Sequence, residues 1–518
     1  MDPIRRKRAF LPKVKTGCRT CKIRKVKCDE AKPECNRCLS TGRKCDGYEP
    51  ASRTPSPGSS SSLQTQPDMF TSQAERRSFD FFQARACQAL GGYFHLQFWS
   101  REVMQSAVHY PPIRHLVVAL GAAYEGFEGE HSKFPGSGEP AASKHLALQQ
   151  ANQSIRLMND LFQSASTSGP SLESTSSILT ASILFTYIAS LQGHLAQAIE
   201  HVRAGLRVLQ DFETSLSEQG SSPSTYPVPL HQLRSILISV YGQVRCIIND
   251  EALTKWKRDH LVSELEPVTL FASNLEAHDY VERLHHNMLA YLQAVDFYPA
   301  TTPAEHAAYD RRRHDLFRAL GQGREALELL HTVSPERQRQ ESGITVLRIY
   351  LTLVEMRLSL HALRPDEREA AFDHLEPYLE RILEDCEAVV EADKAKHTHT
   401  SCYSGLGIVL PLHTVAARCR NPKVRRKALD LLLNGARREC LWDAGMTANI
   451  TQKTLDIEEE GADEGMDISS DRPKRIPGEK RVEEVKVEFQ DDRKARLRFV
   501  TVESRKRNEV GIQQIVEW

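Results

Sequence analysis

From about residue 75 to 440, apolar positions recur at the three-to-four spacing of helix faces. Leu195, Ala198, Ile199, Val202, Leu206 and Leu209 form one stripe. Ala151, Ile155, Met158 and Phe162 form a second, and Leu347, Tyr350, Leu351, Val354 and Leu358 a third. Thr302-Pro303-Ala304-Glu305 reads as a capping box with proline at the first helical position. Asn421-Pro422 reads as a cap before Val424, Ala428 and Leu431. Breaks fall near 126–140, 164–171 and 219–229. The pattern predicts about twelve helices without a strict repeat, a large irregular all-α domain over 71–518.

Near the C-terminus the period changes to two. Val485, Val487 and Phe489 alternate with Lys486 and Glu488, and Ala495, Leu497 and Phe499 alternate with Arg496 and Arg498. This predicts a β-hairpin over 483–503, which must pack on the helices to be stable. Before it, seven acids in the twelve positions 456–467 predict an acidic disordered loop within 450–480. Ile457 and Met466 are its only bulky apolar residues, too few for an acidic activation segment.

The N-terminal region has no comparable core. Between residues 18 and 48 the apolar side chains that stand out are Ile23, Val26 and Leu39, and six cysteines take their place: Cys18, Cys21, Cys28, Cys35, Cys38 and Cys45. The spacing is C-x2-C-x6-C written twice, six residues apart. A tetrahedral zinc site takes four thiolates at about 2.3 Å. Six thiolates therefore serve two zinc ions if two cysteines are shared. Each C-x2-C opens a short helix, expected over Arg19 to Lys25 and Asn36 to Ser40. With so little core, the module folds only with metal.

This pattern resembles the fungal zinc binuclear-cluster (Zn2Cys6) family of transcription factors. The resemblance implies that Cys18 and Cys35 bridge, that Cys21 and Cys28 complete one zinc, and that Cys38 and Cys45 complete the other. It matches the family's loop proline to Pro33 and its basic run to Lys22, Arg24, Lys25 and Lys27. It implies a nuclear regulator of RNA polymerase II transcription that places a short helix in the DNA major groove and reads CGG-type triplets. Lys25 and Arg24 take the base-reading positions, because Lys and Arg are donors suited to guanine O6 and N7. Arg19, Lys22, Lys27 and Lys32 are expected on phosphates. The downstream body also resembles the helical regulatory domain of such proteins, through Tyr93-Phe94, Phe98-Trp99, the run Ile113 to Gly121, and Gly193 to Leu209 with Ala198, His201 and Gly205. Trp99 and Phe98 are expected in the core.

Charge sharpens this division. Overall formal charge is zero, yet residues 1–48 hold fifteen Lys or Arg against five Asp or Glu, a net +10. A basic head on an acidic body points to a nucleic-acid partner for the head. Arg5-Arg6-Lys7-Arg8 in the basic arm 1–17 reads as an import signal or as a solvated arm. Residues 49–70, rich in Pro and Ser, read as a disordered linker. They show no leucine heptads, so no N-terminal coiled coil is expected and dimerisation, if any, falls to the body. Cys87, Cys246, Cys386, Cys402, Cys419 and Cys440 stand singly and read as reduced core residues. The longest apolar run, Ile178 to Leu191, is short for a membrane span and broken by Thr180, Ser182, Thr186 and Ser190.

No G-x-S-x-G, H-E-x-x-H, Walker loop or G-x-G-x-x-G occurs, so nothing positive supports an enzyme. His285-His286 and His397-x-His399 are expected at the surface. The rival to a DNA reader is an interaction protein whose cluster only stabilises a surface. Transcription machinery is the expected further partner.

Overall fold

The computed structural model describes residues 16–48, 69–131, 140–168, 171–216, 226–248, 265–333, 337–395, 400–460, 476–490 and 493–518. Arg5 to Arg8, nearly all of the linker 49–70, the pair His397 and His399, and the acids beyond Glu460 lie outside the described residues. Contacts divide the chain into two units, Met1–Met69 and Phe70–Trp518.

In the second unit, long helices follow the apolar stripes. The stripe from Leu195 to Leu209 lies buried along the helix Leu195–Leu216, and that from Leu347 to Leu358 along Arg337–Leu360. The expected capping box is present at the start of Pro303–Val333. Thr302 Oγ1 accepts from the Glu305 N–H at 3.3 Å, and Glu305 Oε2 accepts from the Thr302 N–H at 3.0 Å. Asn421 caps Pro422–Leu433 by accepting from the Lys423 N–H at 3.1 Å. Trp99 is fully buried, edge-on to Phe98 and Tyr187 with centroids 5.0 Å away in each case, and its Nε1 donates to Ser404 Oγ at 3.0 Å. Gly121 lies where a Cβ would meet Ser78 O at 2.3 Å, so only glycine permits that crossing of Pro111–His131 and Gln73–Phe81. Of the six lone cysteines, Cys246 is half-buried and the other five are buried.

Four expectations need correction. Along Pro140–Ser168 the buried line runs through Ala147, Gln150, Ser154 and Met158, and Ile155 faces outward. The reason is polar: the Gln150 amide donates to Glu75 Oε1 at 2.9 Å, and its oxygen lies 2.6 Å from His115 Nδ1, so an amide holds the inward position. His285 and His286 are buried because their helix, Asn274–Phe297, is covered on nearly every side. The expected loop over 450–480 is overturned at its start, since Ala444–Glu460 is helical with Ile450, Leu455 and Glu458 buried. Leu172–Gln192 is long and apolar enough to cross a membrane. It is instead packed inside the unit, and its hydroxyls bond back along the helix, Thr180 to Ser176 O at 2.7 Å and Thr186 to Ser182 O at 2.8 Å.

Among the described residues, two small sheets complete the second unit. In the first, β1 (Thr400–Tyr403) pairs parallel with β2 (Ala436–Glu439), which pairs antiparallel with β3 (Trp442–Asp443). The expected hairpin is β4 (Val482–Phe489) with β5 (Lys494–Thr501), Val485 opposite Phe499 and Val487 opposite Leu497. A third antiparallel strand, β6 (Ile512–Glu517), adds to β5. The sequence pattern does not mark β6, because Ile512 and Ile515 are exposed and Val516 alone is buried.

Candidate metal and nucleic-acid site

The first unit folds around sulfur. Its core is the cysteines, with Tyr48 packed against them. α1 (Arg19–Ile23) and α2 (Asn36–Leu39) each begin at a cysteine whose side chain caps the helix. Cys18 Sγ accepts from the Cys21 N–H at 3.4 Å, and Cys35 Sγ from the Cys38 N–H at 3.3 Å. The first thiol of each half is thereby turned inward, toward the other half. Cys18 and Cys35 sulfurs lie 3.5 Å apart, and Cys21 to Cys35 and Cys18 to Cys38 are each 3.8 Å. The edge of a zinc–thiolate tetrahedron is about 3.8 Å. Two four-sulfur groups form, Cys18-Cys21-Cys28-Cys35 and Cys18-Cys35-Cys38-Cys45, and the pair they share is Cys18 and Cys35.

The donor set fits zinc in charge as well as spacing. Without metal, burial pushes the Cys21 thiol up to about 12 and Cys38 up to about 11. Six thiolates coexist at these separations only with cations between them.

The two halves are related by a shift of 17 residues, and the correspondence reaches beyond sulfur. Asp29 and Asp46 follow the third cysteine of each half. Asp29 accepts from the N–H groups of Asn36 and Arg37, each at 3.0 Å, and this holds its carboxyl below the usual range, chiefly through Arg37. Asp46 accepts from Thr20 Oγ1 at 2.9 Å while its own N–H donates to that hydroxyl at 3.0 Å. Tyr48 donates to Ala31 O at 2.7 Å. Sequence reasoning passed over Thr20, Asp29, Asp46 and Tyr48. The repeated Cys-Asp step was the available signal.

Each helix ends in the same turn. In the first half Lys25 N–H donates to Lys22 O and Val26 N–H to Cys21 O, both at 3.2 Å. In the second, Gly42 N–H donates to Leu39 O at 3.0 Å and Arg43 N–H to Cys38 O at 3.1 Å. This is the Schellman closure, whose left-handed residue is usually glycine. Gly42 has φ +64°, and Lys25 occupies the equivalent place with φ +55°. Lys25 therefore stands beyond the first helix, which stops at Ile23, rather than at its end as expected. The second helix likewise stops at Leu39. The bond Lys32–Pro33 is cis.

Arg19, Lys22, Lys25, Lys27 and Lys32 are exposed on this unit. Arg24 is half-buried and its Nη1 donates to Thr41 Oγ1 at 3.3 Å, joining the two halves. The positions that match Lys22, Arg24 and Lys25 in the second half are Leu39, Thr41 and Gly42. At these three matched positions the first half is basic and the second is not, while Arg37, Arg43 and Lys44 keep some exposed positive charge on the second half.

A small duplicated thiolate module that holds two zinc ions and carries an exposed basic run in its first half defines a zinc-cluster DNA-binding class. The family model for the fungal Zn(2)-Cys(6) binuclear cluster domain matches residues 16–55, so the chain carries a two-zinc domain of that kind, and the relatives it resembles are fungal transcription regulators. The aspercryptin biosynthesis cluster-specific transcription regulator of Emericella nidulans is 25% identical over 97% of this chain and 96% of its own length. The transcription regulator lscL of Purpureocillium lilacinum is 25% identical over 43% of this chain and 55% of its own. The transcription factor lfc1 of Flammulina velutipes is 46% identical, over 10% of this chain and 20% of its own. No solved structure matches the chain.

Proposed function

We propose that this chain is a nuclear, sequence-specific regulator of RNA polymerase II transcription that reads CGG-type triplets through the basic half of its zinc cluster. Cys18 and Cys35 bridge the two ions. Cys21 and Cys28 complete one set, and Cys38 and Cys45 the other. The helical body is its regulatory part, and the protein acts by binding rather than catalysis. The observation that carries this reading is the asymmetry between matched halves. Where the second half closes its helix with a bare glycine, the first places a lysine, at a cost of about 1 kcal/mol for a left-handed residue with a side chain. Lys25 rides on a turn fixed by zinc ligands on both sides, which suits base readout. Arg19, Lys22 and Lys27 flank it and suit phosphates.

Lys25→Ala is expected to weaken binding to the preferred duplex by about 1–3 kcal/mol and to random duplex far less, with both zinc ions retained. Lys25→Gly removes the same side chain while relieving the left-handed position. It should lose the same specificity yet fold at least as stably as the parent. Selection from a random duplex pool at fixed salt identifies the site, and titrations of the three proteins test the assignment. Equal loss on specific and random DNA would remove Lys25 as the reader.

A further inference from the structure

We propose that His95, His278 and Glu282 form a site for a divalent transition-metal ion inside the helical unit, separate from the cysteine cluster. His95 lies in the turn between the helical segments Cys87–Gly91 and Phe98–Glu102. His278 and Glu282 lie one turn apart on Asn274–Phe297. All three side chains are buried, and a ligand atom from each falls within 4.8 Å of the other two. His278 Nε2 is 3.5 Å from Glu282 Oε1. The tetrahedral edge of a zinc site with nitrogen and oxygen donors is about 3.3 Å, so that pair is already close to ligand spacing. His95 supplies the third donor atom.

Three independent features point at the same spot. First, Nε2 of His95 and Nε2 of His278 are both buried without a hydrogen-bond partner. A buried ring nitrogen left unpaired is costly, and a metal ion is one partner that satisfies two at once. Second, both nitrogens converge on Gly405, whose φ is +96°. A Cβ there would sit 3.2 Å from each of them, so glycine keeps the space in front of the rings clear. Third, neighbouring side chains hold two of the three ligands in place. Asp279 Oδ1 lies 3.5 Å from His278 Nδ1, and the Ser239 hydroxyl donates to Glu282 Oε1.

A cavity of about 20 Å³ on the far side of the two histidines touches Glu282, Ser239 and Gln243 and has room for a water molecule beside the carboxylate. Two imidazoles and one carboxylate select zinc, cobalt, nickel or iron(II) over magnesium or calcium, which favour oxygen donors. Binding would tie the His95 turn to the Asn274–Phe297 helix and stabilise the folded body by mass action.

The test is metal stoichiometry on the full-length protein, saturated with zinc and desalted. Three zinc ions per chain are expected, falling to two in His278→Gln with the cysteine sites still filled. Two ions in the parent protein, or three retained in His278→Gln, would overturn the proposal. Because a buried substitution can disturb folding, cobalt titration of the unaltered protein gives a second readout. The third equivalent of Co2+ should add visible d–d absorption without further thiolate-to-metal charge transfer. Saturation at two equivalents, or a third that adds thiolate bands, would equally overturn it.

Discussion

Replacing Cys35 by alanine will strip both zinc ions from the N-terminal unit, whereas Cys45→Ala will empty one site and spare the other. Cys35 belongs to both four-sulfur groups and Cys45 to one. The difference matters because the described residues of the unit have no other core: Ile23 and Leu39 are exposed, and the cysteines themselves are what is buried. Zinc binding in such small modules supplies on the order of 10–16 kcal/mol, which is the folding free energy itself. Loss of the shared thiol should therefore abolish folding of the unit and DNA binding together. Cys35 also caps α2 through the Cys38 N–H, so alanine there removes a helix cap as well. Zinc per chain, measured on both full-length variants, decides the matter. Equal stoichiometries for Cys35→Ala and Cys45→Ala would refute the shared-ligand arrangement.

The metal module is legible in sequence because its information is local. Six sulfurs at fixed spacing within 28 residues leave few ways to surround two ions. The turn that carries Lys25 was less legible, because a lysine in a left-handed position has no signature of its own. It shows only by comparison with Gly42, its partner in the repeat. In the body, helix faces made of Leu, Ile and Val read correctly, as at Leu195 to Leu209. Faces that bury polar groups did not. Gln150 took an inward position because Glu75 and His115, distant in sequence, supply its partners. His278 and Glu282 are a bare H-x3-E until the turn bearing His95 and the glycine at 405 are brought against them. Such sites depend on contacts between far segments, and hydrophobic periodicity carries no record of those.

Glu458 is the extreme case, and it sets the second large effect. In sequence it is one of three consecutive acids, Glu458, Glu459 and Glu460, and reads as part of a solvated run. In the fold it is fully buried. Its Oε2 accepts from Arg425 at 2.7 Å and from Arg420 at 3.1 Å, and its Oε1 accepts from the Val482 N–H at 2.9 Å, where β4 begins. Glu369 extends the network, accepting from Arg418 at 2.6 Å and Arg420 at 3.2 Å, and Arg481 donates to Asp373 at 2.8 Å. Removing the central carboxylate leaves Arg425, itself almost wholly buried, without its charge partner. Breaking a buried pair from one side costs about 3–5 kcal/mol, because the orphaned charge keeps its desolvation penalty. Glu459 provides the control one residue away. It pairs with Arg426 at 3.0 Å, but both side chains reach solvent, and such a pair contributes about 0–1 kcal/mol. Glu458→Ala should thus lower the urea midpoint of the helical unit strongly and speed amide exchange at Val482, while Glu459→Ala changes neither appreciably. Comparable shifts for the two variants would show that the network around Glu458 does not hold the C-terminal sheet to the helices.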